Sequence, residues 1–103
     1  MPPYTVTVAP IAVAQIEAAL LWWSSNRPAS RDLLANEVDR ALALIEHVPQ
    51  AGRRTTSKLF RDVRRLLLRR SGNHLYYQVL DAQEAVHVVY FRHAHRRPIS
   101  RPR

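Results

Sequence analysis

The residues best suited to chemistry in this sequence are arginines and histidines of its second half. They are Arg65, Arg69, Arg70, His74, His93 and Arg96. Guanidinium groups bind phosphate through paired hydrogen bonds, and imidazole can transfer a proton near neutral pH. Gathered at one edge of a sheet, they could stabilise a phosphate under attack and supply the acid and base that RNA cleavage needs. Charged residues at strand ends also keep a sheet from pairing with other molecules. The same spacing is therefore equally consistent with a solvated surface that takes no part in catalysis.

Other kinds of site find little support. The chain has no cysteine, which excludes disulfides and thiolate chemistry, and its two glycines, Gly52 and Gly72, do not form a phosphate-binding loop. No Ser-His-Asp pattern and no paired carboxylates occur. His93 and His95 have no carboxylate nearby to complete a site, and the surrounding arginines repel a cation. We therefore expect neither a metal site nor a cofactor.

The charge is distributed unevenly along the chain. Residues 1–50 carry three arginines against five carboxylates, a net charge of −2, whereas residues 51–103 carry thirteen basic against three acidic side chains, a net charge of +10. Such asymmetry favours a polyanion or an acidic protein as partner and raises the rate of association. The length predicts one domain, residues 1–103. The apolar run from Ile11 to Trp23 is too short for a bilayer span, so we expect a cytoplasmic protein without a membrane anchor.

The second half predicts a three-stranded antiparallel meander. Its apolar runs are Asp62–Leu68, His74–Leu80 and Val86–Arg92, separated by a Ser-Gly-Asn step and an Asp-Ala-Gln-Glu step. In the second run, alternation places Leu75, Tyr77 and Val79 on the face toward the helices. The third run alternates ambiguously. The first contains three consecutive leucines, Leu66, Leu67 and Leu68, which indicates a central strand with both faces partly covered.

The first half predicts a strand over Tyr4–Ala9, a helix from Pro10 to about Asn26, and a second helix for which Ser30 supplies the N-cap. The second helix carries the clearest apolar stripe and ends at Pro49; the stripe is Leu34, Val38, Ala41, Ile45 and Val48. Residues 50–57 are interpreted as a loop in which Gly52 is free to adopt a positive φ. We expect residues 98–103 to be a mobile basic tail. The fold class is α+β: a strand, a two-helix hairpin, then the meander.

This order of elements resembles the ParE/RelE superfamily of toxins from bacterial type II toxin–antitoxin systems over nearly the whole chain. The most specific stretches are RRLLLRRSGNHLYYQV, Arg64–Val79, and VHVVYFRHAHRRP, Val86–Pro98. The second stretch is similar to the closing strand of the family and to the His and Arg that follow it, here His93 and Arg96. The resemblance implies the RelE/ParE-like fold.

The two branches of the superfamily differ in target. The resemblance implies either a ParE-like toxin, which inhibits DNA gyrase by binding, or a RelE-like endoribonuclease, which cleaves messenger RNA on the ribosome. The RelE-like pattern has lysines where this chain has Arg65 and Leu67, an arginine where it has His74, and a C-terminal tyrosine, whereas here none follows Tyr90. Most of the ribonuclease set is absent, which favours the ParE-like branch. If the chain is RelE-like, the catalytic candidates are Arg65, His74, His93 and Arg96.

The resemblance also implies a partner. Toxins of this superfamily form hetero-oligomers with a cognate antitoxin whose acidic, flexible C-terminal segment folds onto the toxin, in agreement with the basic second half. The residues that we expect to bind the antitoxin or the target are Arg64, Arg65, Arg69, Arg70, Tyr76, Arg92, His93, Arg96 and Arg97.

Overall fold

The computed structural model describes residues 2–94, which form a five-stranded sheet with two helices. The strands are β1 Thr5–Val8, β2 Arg53–Thr55, β3 Val63–Leu68, β4 Asn73–Leu80 and β5 Ala85–His93; the helices are α1 Pro10–Asn26 and α2 Leu33–His47. The strand order is β1-β5-β4-β3-β2. β1 and β5 pair in parallel, and β2 through β5 pair antiparallel. The predicted α+β class and the meander are confirmed, with each strand of the meander within one residue of its predicted ends.

The main core lies between the helices and one face of the sheet, which we call the inner face. Tyr77 and Leu75 of β4 are fully buried there, together with Leu34 and Ile45 of α2, because alternation directs every second residue of the strand toward the helices. The prediction for Leu75, Tyr77 and Val79 is confirmed. The opposite side of the sheet is the outer face.

A β-bulge in β5 explains the ambiguous alternation of the third run. Tyr76 pairs with Tyr90, but Tyr77 pairs with Val88, so Val89 is an extra residue. Val89 packs against Tyr76 on the outer face, and Tyr90 packs against the same small cluster. Two successive residues of β5 thus lie on one side, because a bulge opposes two residues to one on the neighbouring strand.

The three leucines of β3 differ in how far their side chains are exposed to solvent. Leu66 pairs with Leu75 and Leu68 with Asn73, on the inner face, whereas Leu67 pairs with His74 on the outer face and is 44% exposed. β3 is an interior strand as predicted. Its outer face is partly covered as predicted, since Val63 is buried there against Tyr76 and Val89, but the cover does not extend fully over Leu67.

Four local predictions are corrected. Residues 50–57 are not a loop throughout, because Arg53–Thr55 form the edge strand β2 on β3. Gly52 has φ −77° and extended backbone, and a side chain there would collide with Tyr77, so contact rather than backbone conformation requires the glycine. Ser30 ends a 3-10 turn, Pro28–Ser30, and does not cap α2, which begins at Leu33 after Asp32. Val48, at the end of the apolar stripe, is 47% exposed.

Helix α1 is apolar on both of its sides. Its inner side, with Ala12, Ile16 and Trp23, packs on the core. Its outer side exposes Leu21 by 70% and Trp22 by 54%. Among residues 2–94 no helix is long and apolar enough to span a membrane. The predicted mobile tail, 98–103, lies outside the described residues.

A carboxylate of α2 holds the turn between β3 and β4. Glu37 accepts hydrogen bonds from the backbone N–H groups of Arg70 (2.7 Å, to Oε2) and Ser71 (3.1 Å, to Oε1). The same turn contains Gly72 at φ +78°, a left-handed conformation that glycine adopts without steric cost. This contact fixes where the turn lies relative to the helices.

Replacing Glu37 by Ala is expected to lower the free energy of unfolding by about 1.5–3 kcal/mol, because hydrogen bonds to a charged acceptor are lost. Denaturant unfolding measures the loss, with Asp39→Ala on the exposed side of α2 as the control. Glu37→Gln keeps one acceptor oxygen and should lose less. A Glu37→Ala variant as stable as the control would show that this contact contributes nothing.

A candidate cationic binding face

Antiparallel pairing brings several of the predicted site residues together on the outer face. Partners across an antiparallel ladder point to the same side of a sheet. Arg65 of β3 pairs with Tyr76 of β4, and His74 of β4 pairs with Arg92 of β5. On the other side of Arg65, Arg53 of β2 completes the row. We call these five residues, Arg53, Arg65, His74, Tyr76 and Arg92, the cationic face.

Aromatic rings form the floor of this face. The ring centroids of His74 and Tyr76 are 6.0 Å apart, edge to face, and those of Tyr76 and Tyr90 are 6.4 Å apart in the same arrangement. Phe60 continues the series 6.0 Å from Tyr90. Edge-to-face pairs of this kind add to the stability of a sheet surface. The guanidinium groups therefore surround a firm apolar strip.

The position of His74 changes its acidity. Partial burial lowers the pKa of His74 below its usual value of 6.5, and the electrostatic interactions with Arg65, Arg92 and His93 lower it further. Both causes disfavour the charged imidazolium. The ring is therefore neutral at pH 7, able to accept a proton or a hydrogen bond.

We expect an NMR titration to place the pKa of His74 below 6.5, and the substitutions Arg65→Gln and Arg92→Gln to raise it. Because the folded state holds this proton more weakly than the unfolded state, protonation favours unfolding. The free energy of unfolding should then fall as the pH drops from 6.5 through the lowered pKa, and this dependence should weaken in His74→Gln. An unshifted pKa would contradict the stated geometry.

The remaining predicted residues lie elsewhere. Arg64 points to the inner side, where its Nη1 donates to the Gly52 carbonyl at 2.8 Å. Arg69 and Arg70 belong to the exposed β3–β4 turn. His93 pairs with Asn73, and its Nε2 lies where a side chain on Gly72 would approach to 3.1 Å. Arg96 and Arg97 lie outside the described residues.

One residue of the cationic face, Arg53, and one ring of its aromatic floor, Tyr90, could not be predicted from the sequence. Arg53 belongs to the segment interpreted as a loop, and only its pairing with Arg65 reveals its position. Tyr90 is directed to the outer side by the bulge, which alternation alone does not predict. Leu67, beside His74, also lies on this side, so an apolar side chain interrupts the row of charges.

A separate cavity of about 760 Å³ opens at the end of the sheet away from the β3–β4 turn. Its lining includes three arginines and two carboxylates, Arg54, Arg61, Arg64, Asp62 and Asp81. The opposite charges offset one another there, whereas the cationic face holds no carboxylate. Within the described part of the chain, no group of three or more acidic or histidine side chains could hold a metal ion.

The fold, in contrast to the sequence, has known counterparts. No family model and no curated protein matches the sequence. The chromosomal ParDE toxin–antitoxin system from P. aeruginosa matches with a TM-score of 0.71 and 14% identity, over 90% of this chain and 98% of that chain. The RelBE2 toxin–antitoxin complex from Mycobacterium tuberculosis matches with a TM-score of 0.61 and 22% identity, over 90% of this chain and 93% of that chain. A mutant of the E. coli toxin RelE in the free state matches with a TM-score of 0.57 and 21% identity, over 90% of this chain and 85% of that chain. These likenesses establish a common fold.

Proposed function

We propose that this chain, which has the ParE/RelE-like fold, is the toxin of a type II toxin–antitoxin system and acts in the ParE-like manner, by binding DNA gyrase. The fold carries the proposal, since the matched structures are toxin–antitoxin systems and one of them is ParDE. A toxin that acts by binding needs a rigid, charged surface and no catalytic group. The cationic face provides such a surface on paired strands, which hold side chains more firmly than loops do.

The same surface supports an antitoxin with an acidic segment. Arg65 and Arg92 are half-buried, so part of each side chain is shielded from water. Charged hydrogen bonds are stronger in such surroundings than on a fully solvated surface. An acidic peptide would be steered to this face by the net charge of the second half, and its binding should weaken as salt is added. Bound there, the antitoxin would cover the face that we propose for the target.

The RelE-like alternative, a ribosome-dependent endoribonuclease, is favoured by one observation. His74 lies beside Arg65 and Arg92, and its lowered pKa keeps the imidazole unprotonated at neutral pH, the form in which a general base acts. Against it, Leu67 occupies a position of the RelE-like lysines and faces the same side as His74. An apolar side chain there can neither bind a phosphate oxygen nor stabilise charge in a transition state.

Two assays separate these functions. Purified chain should inhibit supercoiling by gyrase in a reaction without ribosomes, and message on translating ribosomes should stay intact in primer extension. Codon-positioned cuts that vanish in the His74→Ala variant would instead establish the endoribonuclease. If neither activity is found and co-expression of the neighbouring gene does not relieve growth arrest, the toxin proposal is wrong.

A further inference from the structure

The outer side of α1 is an apolar surface that nothing in the described chain covers. Residues three, four and seven positions apart lie on one side of a helix. Ile11, Ala14, Ala18, Leu21 and Trp22 follow this spacing and are all exposed. We call them the outer α1 stripe. A helix at a protein surface normally carries polar residues on that side, and one that is apolar all round is normally buried.

The stripe also lacks charge. Glu17 is the one ionisable residue of α1, and it lies beside the stripe rather than within it. An acidic partner would find no cation on this helix, and the field of the second half would draw it to the cationic face instead. A different occupant, apolar and uncharged, is needed for α1.

We propose that a second copy of this chain covers the outer α1 stripe, the two helices packing antiparallel about a twofold axis. The twofold axis then crosses the two helices at the height of residue 16. Ile11 of one copy lies opposite Leu21 of the other, and Ala14 lies opposite Ala18. The small alanines meet at the centre, where they let the helix backbones approach closely, and the large side chains meet at the ends. A twofold interface requires such a self-matching surface.

The charges of the chain agree with this arrangement. α1 packs on the inner face of the sheet, whereas Arg53, Arg65 and Arg92 lie on the outer face. Two copies that meet through α1 would therefore hold their cationic faces on opposite outer sides of the dimer. Repulsion between the two net charges of +8 is smallest in that geometry. The cationic faces remain open, so the proposal is independent of the function proposed above.

Light scattering after size exclusion tests the dimer. The full chain has a mass of 11.9 kDa and is expected to elute at twice that mass. Leu21→Lys should raise the dissociation constant of the dimer about tenfold or more, since it removes apolar contact and places a charge opposite the apolar Ile11 of the other copy. Leu59→Lys is the matched control, because Leu59 is 54% exposed in a loop away from α1. A wild-type monomer at every concentration, or a Leu21→Lys variant that dimerises as well as the control, would overturn the proposal.

A cross-link tests the register. The chain has no cysteine, so single cysteines report without background. When the variants Ala14→Cys and Ala18→Cys are mixed under mild oxidation, the disulfide should join one variant to the other far more than either to itself. Equal amounts of all three products, or none, would contradict the antiparallel pairing about residue 16. Neither experiment measures growth arrest or gyrase inhibition, so failure of the dimer proposal can be distinguished from failure of the proposed function.

Discussion

Reversing the charges of Arg65 and Arg92 together is expected to abolish growth arrest when the chain is expressed alone. The two guanidinium groups lie on either side of the β4 strand on the outer face, next to Tyr76 and His74. Losing a charged contact at an interface costs about 2 kcal/mol or more for each partner removed. The concentration of chain that half-inhibits gyrase supercoiling should therefore rise about a hundredfold or more.

The control for this prediction is the pair Arg54→Glu and Arg61→Glu. It changes the net charge by the same amount, but both side chains line the cavity at the far end of the sheet. If long-range attraction alone mattered, the two double variants would lose activity equally. Equal losses would show that the cationic face has no specific part in target binding. Circular dichroism should confirm that both variants keep their secondary structure, and the milder pair Arg65→Gln and Arg92→Gln should show a smaller loss in the same direction.

The strands of the meander could be predicted because each has a buried side. Alternation identified Leu75 and Tyr77 as core residues, and the turn at Gly72 has the positive φ that its glycine suggests. β2 could not be predicted because it has only three residues, two of them arginines, and these show no alternation of apolar and polar side chains. Its position depends on β3, with which it pairs, and on the buried Tyr77 next to Gly52. Contacts between residues distant in sequence decide such an edge strand.

The start of α2 illustrates the same limit. Ser30 has the side chain of an N-cap residue, but the indole Nε1 of Trp23 donates to the Ser30 carbonyl at 2.8 Å. The guanidinium of Arg27 lies 5.7 Å from the centroid of the Trp23 ring, which further orders this connection. These contacts hold Pro28–Ser30 in a 3-10 turn, so the N-cap position of α2 is Asp32, two residues later. A local capping preference of about 1 kcal/mol is easily outweighed by contacts of this kind.

The candidate site could be predicted by residue type but not by arrangement. Arg65 and His74 were identified from their spacing, and the register of β3 and β4 places both on one side. Arg53 and Tyr90 required the pairing of β2 and the bulge of β5, neither of which the alternation of apolar residues encodes. β1 ends at Val8, which pairs with Val88, so β5 is not paired with β1 beyond that point, and there the Phe91 N–H donates to the side chain of Gln15 at 2.9 Å. Gln15, which interrupts the apolar run of α1, thus satisfies a backbone group of the sheet.

Replacing Tyr77 by Phe is expected to cause the largest loss of stability among single substitutions that remove one atom. The buried Tyr77 hydroxyl donates to the Pro49 carbonyl at 2.7 Å and accepts from the Gly52 N–H at 2.7 Å. Burial raises the pKa of Tyr77, so the hydroxyl keeps its proton and can donate. Without it, a buried donor and a buried acceptor lose their partners, each at a cost of about 1–3 kcal/mol. The melting temperature should fall by roughly 10 °C or more.

Gly52→Ala tests the same contact from the other side. The backbone at Gly52 is extended and suits alanine, but the new Cβ would lie 2.7 Å from the Tyr77 hydroxyl oxygen and 2.9 Å from its Cε1. Such overpacking costs about 1–3 kcal/mol. In the Tyr77→Phe background the oxygen is gone, so the alanine should cost less, and the double-mutant cycle should show a coupling energy of about 1 kcal/mol. Tyr4→Phe is the control, because that exposed hydroxyl donates to Asp81 at 2.9 Å near the surface and should matter little. Strict additivity of the two core substitutions would mean that the Tyr77 hydroxyl does not hold the turn before β2.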